Sequence, residues 1–389
     1  MNNRRIYLDY AATTPVDERV IQHMLPYFQE EFGNPSSIHR FGQVAEAVLD
    51  ESRETVANII NCKYDEVIFT SCGSESDNLA LRGVALASRN VRNANHILIS
   101  PVEHHAVSRT AQQLSQIHGF ELEFLHADQF GIVDPDEVAL RIRPDTALVS
   151  IIYANNEIGS INPIKEIGSL CRKLNIPFHS DAVQAASYLT LDVEELKVDL
   201  LSIGAHKFYG PKGIGALYIR KGTPILPTQT GGGQEFGLRA GTHNIPYIAG
   251  LAKALELAQN DRTVISEQLI PMRDHVIGQI LEDVPNSYLT GHSHLRLPNH
   301  ISFVFEDIDG NNLLRMLDIA GYACSSGSAC KTGNPAPSEV LLACGIPPAL
   351  ALGSLRVTLG KNTTIADIDG FLSTVVRLIQ KAREFSPII

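Results

Sequence analysis

Seven short β-prone runs set the strongest constraint on the fold: "EVIFT" (66–70), "HILIS" (96–100), "LEFL" (122–125), "ALVSII" (147–152), "IPFHS" (176–180), "DLLSI" (199–203) and "GALYIR" (215–220). Several are separated by enough chain for a crossover helix, which is the pattern of a largely parallel sheet covered on both faces. The last two lie much closer together and are free to pair differently. The expectation is an α/β fold with a largely parallel seven-stranded sheet flanked by helices.

The flanks differ from this core. Ahead of the sheet, Ala45, Val48, Leu49, Ser52, Val56, Ile59 and Ile60 fall at helical spacing, predicting an amphipathic helix. After about residue 258 the pattern changes to a helix near 261–283, a strand "HISFVF" (300–305), a helix near 311–320, a loop of small residues and a final helix near 365–384. A chain of 389 residues is long for one core. We expect a large domain over 16–258, and a smaller α/β domain built from 1–15 and 259–389 that carries the small-residue loop at about 324–337.

Composition narrows the function. A formal charge of -11 argues against nucleic acid or an anionic membrane as the main partner, because both select clustered Lys and Arg. The start "MNNRRIYLDYAATTP" lacks the apolar stretch of a signal peptide, and no later run is long enough to span a bilayer, so a cytoplasmic location is expected. The cysteines at 62, 72, 171, 324, 330 and 344 form no Cys-x-x-Cys pair and are expected as reduced thiols. By default each is a small buried hydrophobe. Cys330 differs, because "SSGSACKTG" (325–333) surrounds it with residues too small to pack around it.

In an open parallel sheet, ligands bind beyond the carboxyl ends of the strands. Here those ends run into "SCGSESDN", "PVEHHAV", "YANNEIG", "DAVQ" and "GAHKFYGPKG". The first is a Gly-containing turn that offers backbone N–H groups and the Ser74 hydroxyl to an anion, or an ordinary helix start with Ser74 as N-cap and Asp77 three residues on. Lys207 beside His206 is a Schiff-base candidate if a pocket depresses its pKa, and otherwise a surface charge. Asp181 can keep a pyridine nitrogen protonated, cap the following helix, or do both. His104 offers a flat ring and a proton shuttle. Adjacent His104 and His105 point apart and no ligand spacing accompanies them, so no metal site is expected.

Taken in order, "FTSCGSESDNLA", "VEHHAV", "NNEIG", "SDAVQ", "AHKFYGPKGIGALY", "GGGQEFGLRAGT", "SSGSAC" and "SLRVTLG" resemble the pyridoxal-phosphate-dependent cysteine desulfurases of the NifS/IscS group, within the class V aminotransferase superfamily. The likeness runs from "YLDYAATTP" to the last helix and includes "GNPSSIHRFG" (33–42). It implies a type I pyridoxal 5'-phosphate fold with Lys207 as the lysine that bonds the cofactor. It further implies Asp181 at the pyridine nitrogen, Gln184 at the ring hydroxyl and His104 stacked on the ring. Ser74, the Gly73 backbone and His206 would hold the phosphate, with Thr242 reaching the phosphate of a neighbouring subunit in a homodimer. Asn155 and Arg356 would bind the carboxylate of L-cysteine. Lys207 would remove the α-proton and the Cys330 thiolate, favoured by neighbouring Lys331, would take the substrate sulfur, leaving L-alanine and a persulfide for a sulfur-acceptor protein. The short "SSGSAC" form resembles the branch whose active cysteine is mobile.

Three positions depart from the family's pattern. Gly204 stands where relatives commonly place a serine that bonds the phosphate. Cys72 replaces a usual glycine in the phosphate turn. Cys324 precedes Cys330 by six residues and reads as a small core residue or as a second thiol able to trap sulfur. Selenocysteine lysis stays open beside cysteine desulfuration, as does a non-catalytic sulfur scaffold or cluster binder using Cys324 and Cys330. In the last case Lys207, Asp181 and His104 would have no reason to coexist.

Overall fold

The computed structural model describes residues 5–327 and 336–384, so Cys330 and Lys331 lie outside the described residues. The seven expected runs form seven strands. They are β2 (Val67–Thr70), β3 (His96–Ile99), β4 (Glu121–Phe124), β5 (Thr146–Ser150), β6 (Phe178–Asp181), β7 (Leu200–Gly204) and β8 (Gly215–Ile219); β1 (Ile6–Tyr7) precedes them. They make one sheet in the order β2-β8-β7-β6-β5-β3-β4. Only β8 opposes its neighbours, pairing antiparallel with both β7 and β2, as the short connection after β7 requires. The other pairings are parallel.

Five of the sheet strands, β2, β3, β5, β7 and β8, are buried along their whole length, as is β6, while edge strand β4 is partly exposed. This is why they read as near-continuous apolar runs rather than alternating ones. Helix Gly73–Arg92 packs across the sheet, and helices Arg40–Ile60 and Ile245–Asp283 pack against each other. The other sheet of more than two strands, among the described residues, is the antiparallel β12-β10-β9, formed by β9 (Ser287–Leu289), β10 (His300–Phe305) and β12 (Ser354–Thr358). β1 pairs in parallel with β11 (Tyr322–Ala323).

One expected boundary moves. The helix read as starting near 261 starts at Ile245, capped by the Asn244 side chain on the Tyr247 N–H, and runs 39 residues through Pro271. Its buried residues are dense from Ile245 to Ala258 and then thin to Leu269, Arg273, Val276 and Ile280. The change of pattern after residue 258 therefore marks a change in what the helix packs against, with the hydrogen-bonded spiral continuing through it. Among the described residues no helix is long and apolar enough to cross a membrane.

Candidate active site

The carboxyl ends of β2, β3, β5, β6 and β7 open into one cavity of about 340 Å³, and its wall includes Gly73, Ser74, His104, Asp181, Gln184, His206, Lys207 and Arg356. The shared strand direction brings them together: each lies within a few residues of a strand end, except Arg356, which is carried in by β12 of the smaller sheet.

Lys207 closes a short 3-10 turn after β7 and is seated by the N-terminal segment. Its Nζ donates to the Ala11 carbonyl at 2.5 Å and the Ala12 carbonyl at 2.8 Å. The Gln184 amide donates to the same Ala11 carbonyl at 2.8 Å. Burial, followed by repulsion from Arg356, pushes the Lys207 ammonium down to about 8, while Asp181 and Asp9 oppose the shift. At that value a usable fraction of the amine is neutral near physiological pH, and the neutral form is the one a Schiff-base lysine needs.

Beneath it is an acidic floor. Asp181, at the end of β6, is buried and accepts from the Val183 N–H at 2.9 Å. Burial drives its carboxyl above the usual range, against the pull of His104 and Lys207. Asp77 is raised further by burial and by Asp181, and Glu103 is raised by the same two causes. Asp77 Oδ1 makes no hydrogen bond. Burial outweighs the pull of the nearby cations on this set, and a protonated ring nitrogen against Asp181 would offset it. Asp77, His104 and Asp181 also each offer a ligand atom within 4.8 Å of one another. That grouping could hold a metal ion, although the sequence reading expected none.

The anion end is built on helix Gly73–Arg92. Its N-cap is Cys72 in extended conformation with no side-chain cap bond, so Ser74 is the second helical residue, not the cap. The helix therefore presents uncapped N–H groups to the cavity. A Cβ at Gly73 would lie 2.6 Å from Val183 Cγ2, so only glycine leaves this cradle open. His206 bonds Thr13 through Nδ1 at 3.2 Å and is held neutral, down to about 4, by burial and the two nearby lysines. These donors, the acidic floor and the depressed lysine together fit pyridoxal phosphate. At Gly204 an added Cβ would meet Gly73 N at 3.4 Å, ordinary contact, so a serine has room here.

Asn155 lies outside this wall, and so does Thr242, which was expected at a neighbouring subunit's phosphate and not at this one. Asn155 is fully buried; its Oδ1 accepts from the Glu157 and Ile158 N–H groups and its Nδ2 donates to the Val102 carbonyl. It shapes the turn after β5, and Asn156 stands in the cavity wall in its place. Thr242 is exposed and away from this wall. Sequence reading also missed the Ala11 and Ala12 carbonyls, Asp77, Val183, Asn156 and the Asp9 carboxylate. All of these lie inside quoted stretches, Asp9, Ala11 and Ala12 in "YLDYAATTP", Asp77 in "FTSCGSESDNLA", Asn156 in "NNEIG" and Val183 in "SDAVQ", and that membership was the available signal. Cys72 faces the cavity, and Cys324 is a free thiol pushed well up by burial and by Asp9.

Residues 6–371 match the aminotransferase class-V family, and the chain belongs to it. This is a family of pyridoxal-phosphate enzymes. The chain is 47% identical over 384 residues to a protein of Dictyoglomus turgidum named cysteine desulfurase IscS, covering 99% of this chain and 97% of that one. A cysteine desulfurase IscS of Methanosarcina thermophila is 46% identical over 386 residues, covering 99% and 95%. Among solved structures, a NifS-like protein superposes with a TM-score of 0.90 at 36% identity, covering 97% of this chain and all of that one. A structure described as SspA in complex with cysteine gives 0.79 at 33% identity, covering 92% and 99%.

Proposed function

We propose that this protein is a pyridoxal-phosphate-dependent cysteine desulfurase that converts L-cysteine to L-alanine and a protein-bound persulfide. The observation that carries the reading is Lys207, half-buried with its pKa pushed down to about 8 in a cavity that also holds Asp181 and Arg356. Lys207 would bond the cofactor, Asp181 its ring nitrogen, Gln184 its ring hydroxyl and His104 its face. Gly73, Ser74 and His206 would hold the phosphate, with Thr242 serving a partner subunit. When bound, the cofactor supplies an electron sink for the pair left by the α-proton.

The chain's own groups do the rest. Arg356 pairs with the substrate carboxylate, with Asn155 assigned as the amide beside it and Asn156 lining the cavity next to Arg356. Freed Lys207 accepts the α-proton, as a neutral amine of pKa about 8 is suited to do. The Cys330 thiolate attacks the substrate sulfur; its S–S bond forms as the substrate C–S bond breaks, and the alanine moiety is reprotonated and leaves. The acceptor is a protein that receives this sulfur, in iron-sulfur cluster assembly or a thiolation pathway, in the cytoplasm.

A homodimer is part of this reading. Leu25, Phe28, Phe32, Ile38 and Phe41 are exposed along the N-terminal helices, Ile38 at 93%, which is apolar surface a second copy would cover. We also assign 16–258 to a large cofactor-binding domain, and 1–15 with 259–389 to a smaller one. The test measures alanine and sulfide released from L-cysteine under reductant by the cofactor-loaded protein and by Cys330→Ala. Equal amounts of both products from the parent and loss of turnover in the variant are expected. A parent that releases neither overturns the desulfurase reading, and a fully active variant overturns the role of Cys330.

A further inference from the structure

Glu157 is a buried carboxyl that none of the steps above uses. It follows the turn after β5, where the Asn155 side chain holds its N–H at 2.8 Å. Its Oε2 accepts a hydrogen bond from the Ser338 hydroxyl. On its other side Gly327 packs directly on it: a Cβ added there would stand 2.6 Å from Oε2 and 3.4 Å from the Ser338 Cβ. One carboxylate thus touches both Gly327 and Ser338, and in sequence Cys330 lies between those two. Ser338 is fixed in turn, since it caps the next helix by accepting from the Leu341 N–H at 3.2 Å.

We infer that Glu157 is a positioning residue for sulfur abstraction, clasping Gly327 and Ser338, which stand on either side of Cys330 in the sequence. The inference rests on Cys330 being the sulfur acceptor. The chemistry suits a clasp: a hydroxyl bound to an ionised carboxylate is held about twice as strongly as one bound to a neutral partner. The groups facing Glu157 are Ser338 and Glu339 from the following helix, Arg356 from β12, and Cys344. Burial pushes the carboxyl up to about 7, with Glu339 adding to the shift and Ser338 and Arg356 opposing it. The clasp is therefore charged above that pH and neutral below it.

The test uses the cofactor-loaded protein with Glu157→Ala, Glu157→Gln, Ser338→Ala and Cys330→Ala. Two readouts follow one turnover with L-cysteine: the change in cofactor absorbance, which reports substrate binding and proton removal, and the persulfide seen by intact-protein mass. Misplacement of a reacting group by about 1 Å costs on the order of a hundredfold. Glu157→Ala is expected to slow persulfide formation about tenfold to a hundredfold while leaving the absorbance change within about twofold. Ser338→Ala shifts the same readout in the same direction by less. Glu157→Gln falls between, and its deficit narrows as the pH of comparison drops below about 7, where the parent carboxyl is itself protonated.

Persulfide formation within about twofold of the parent in Glu157→Ala overturns the inference. Equal slowing of both readouts does so too, because general structural damage would produce it. Cys330→Ala separates the two levels of the argument: a variant that still forms persulfide at the parent rate sinks the assignment of Cys330 itself, whatever the Glu157 variants do.

Discussion

Arg356 Nη2 donates to Asp9 Oδ1 at 2.9 Å, and the other Asp9 oxygen accepts from the Ser325 hydroxyl at 2.8 Å. The cation assigned to the substrate carboxylate is thus already paired with a carboxylate from the opposite end of the chain. Its Nη1 is on the Asn156 carbonyl at 3.0 Å, and its buried Nε makes no hydrogen bond. Replacing Arg356 by Lys keeps the charge and loses the planar fork. The expected result is a rise in KM for L-cysteine of about tenfold to a hundredfold, with kcat falling less. Initial rates against cysteine concentration decide it, and an unchanged KM removes Arg356 from the substrate.

Asp9 also supports the charge on Lys207, since it is one of the two anions that raise the lysine's pKa. Asp9→Asn removes that support, so the ammonium loses its proton at lower pH than about 8. The neutral amine is the form that reacts with an aldehyde. The midpoint for cofactor uptake by the apoprotein, followed by absorbance across pH, should move down. A midpoint that rises contradicts the role given to Asp9.

Gly204 leaves space at the phosphate end. Its φ is -137°, which any residue adopts, and a Cβ there meets only ordinary contacts. Gly204→Ser is expected to tighten pyridoxal-phosphate binding about threefold to tenfold, the worth of one added hydrogen bond. Equilibrium dialysis against free cofactor measures it. Weaker binding would show that a serine at this position makes no bond to the phosphate.

The acidic floor has a stability consequence opposite to that of a salt bridge. Asp181 and Asp77 both have folded-state pKa values raised by burial. Between the unfolded value near 4 and the raised one, the folded apoprotein binds more protons than the unfolded chain, so its stability is greatest below that window and falls as pH rises through it. Asp181→Asn should therefore raise the apoprotein's Tm at pH 7.5 while abolishing turnover of the loaded enzyme. A lower Tm for the variant would mean that Asp181 is ionised and paired in the apoprotein.

Away from the cavity, Arg53 is buried with both its amino groups on Glu235, at 2.7 and 2.9 Å, and its guanidinium lies over the rings of Tyr64, Phe69 and Phe236. Glu235 also accepts from the Phe69 N–H at 2.9 Å and lies 2.8 Å from His243 Nε2. Its backbone and that of Phe236 are left-handed, at φ 48° and 56°, so the ion pair holds a strained turn beside Thr242. Arg53→Ala strands a buried carboxylate and should cost about 3–5 kcal/mol in denaturant unfolding. A loss below about 1 kcal/mol would place this pair among weak surface bridges.

The strands were legible because a buried parallel sheet needs uninterrupted apolar runs, and the groups lining the cavity were legible because most of them follow such a run. Lys207, Asp181 and His104 needed only that rule and their motifs. Asn155 and Asn156 are adjacent amides, and which one turns outward depends on a hydrogen bond to Val102, a residue far away in sequence. Glu157 and Asp9 were silent for a related reason: their partners, Ser338 and Arg356, stand 181 and 347 positions away. The extended run of helix from Ile245 was hidden because its first half is buried over most of its circumference, so the single apolar stripe that continues through Leu269, Arg273, Val276 and Ile280 has no polar face to contrast with there.

The parallel pairing of β1 with β11 joins the two ends of the chain next to the lysine. The Ala11 and Ala12 carbonyls that seat Lys207 follow directly from a strand whose partner is Tyr322 and Ala323. During synthesis, residues 6–12 leave the ribosome well before β11 and gain that partner only after more than three hundred further residues have been made. The large sheet can form on a nascent chain, whereas the seat of the lysine waits for nearly the last fifth of the polypeptide. A prematurely terminated chain would thus carry the strands of the fold and an unmoored amine.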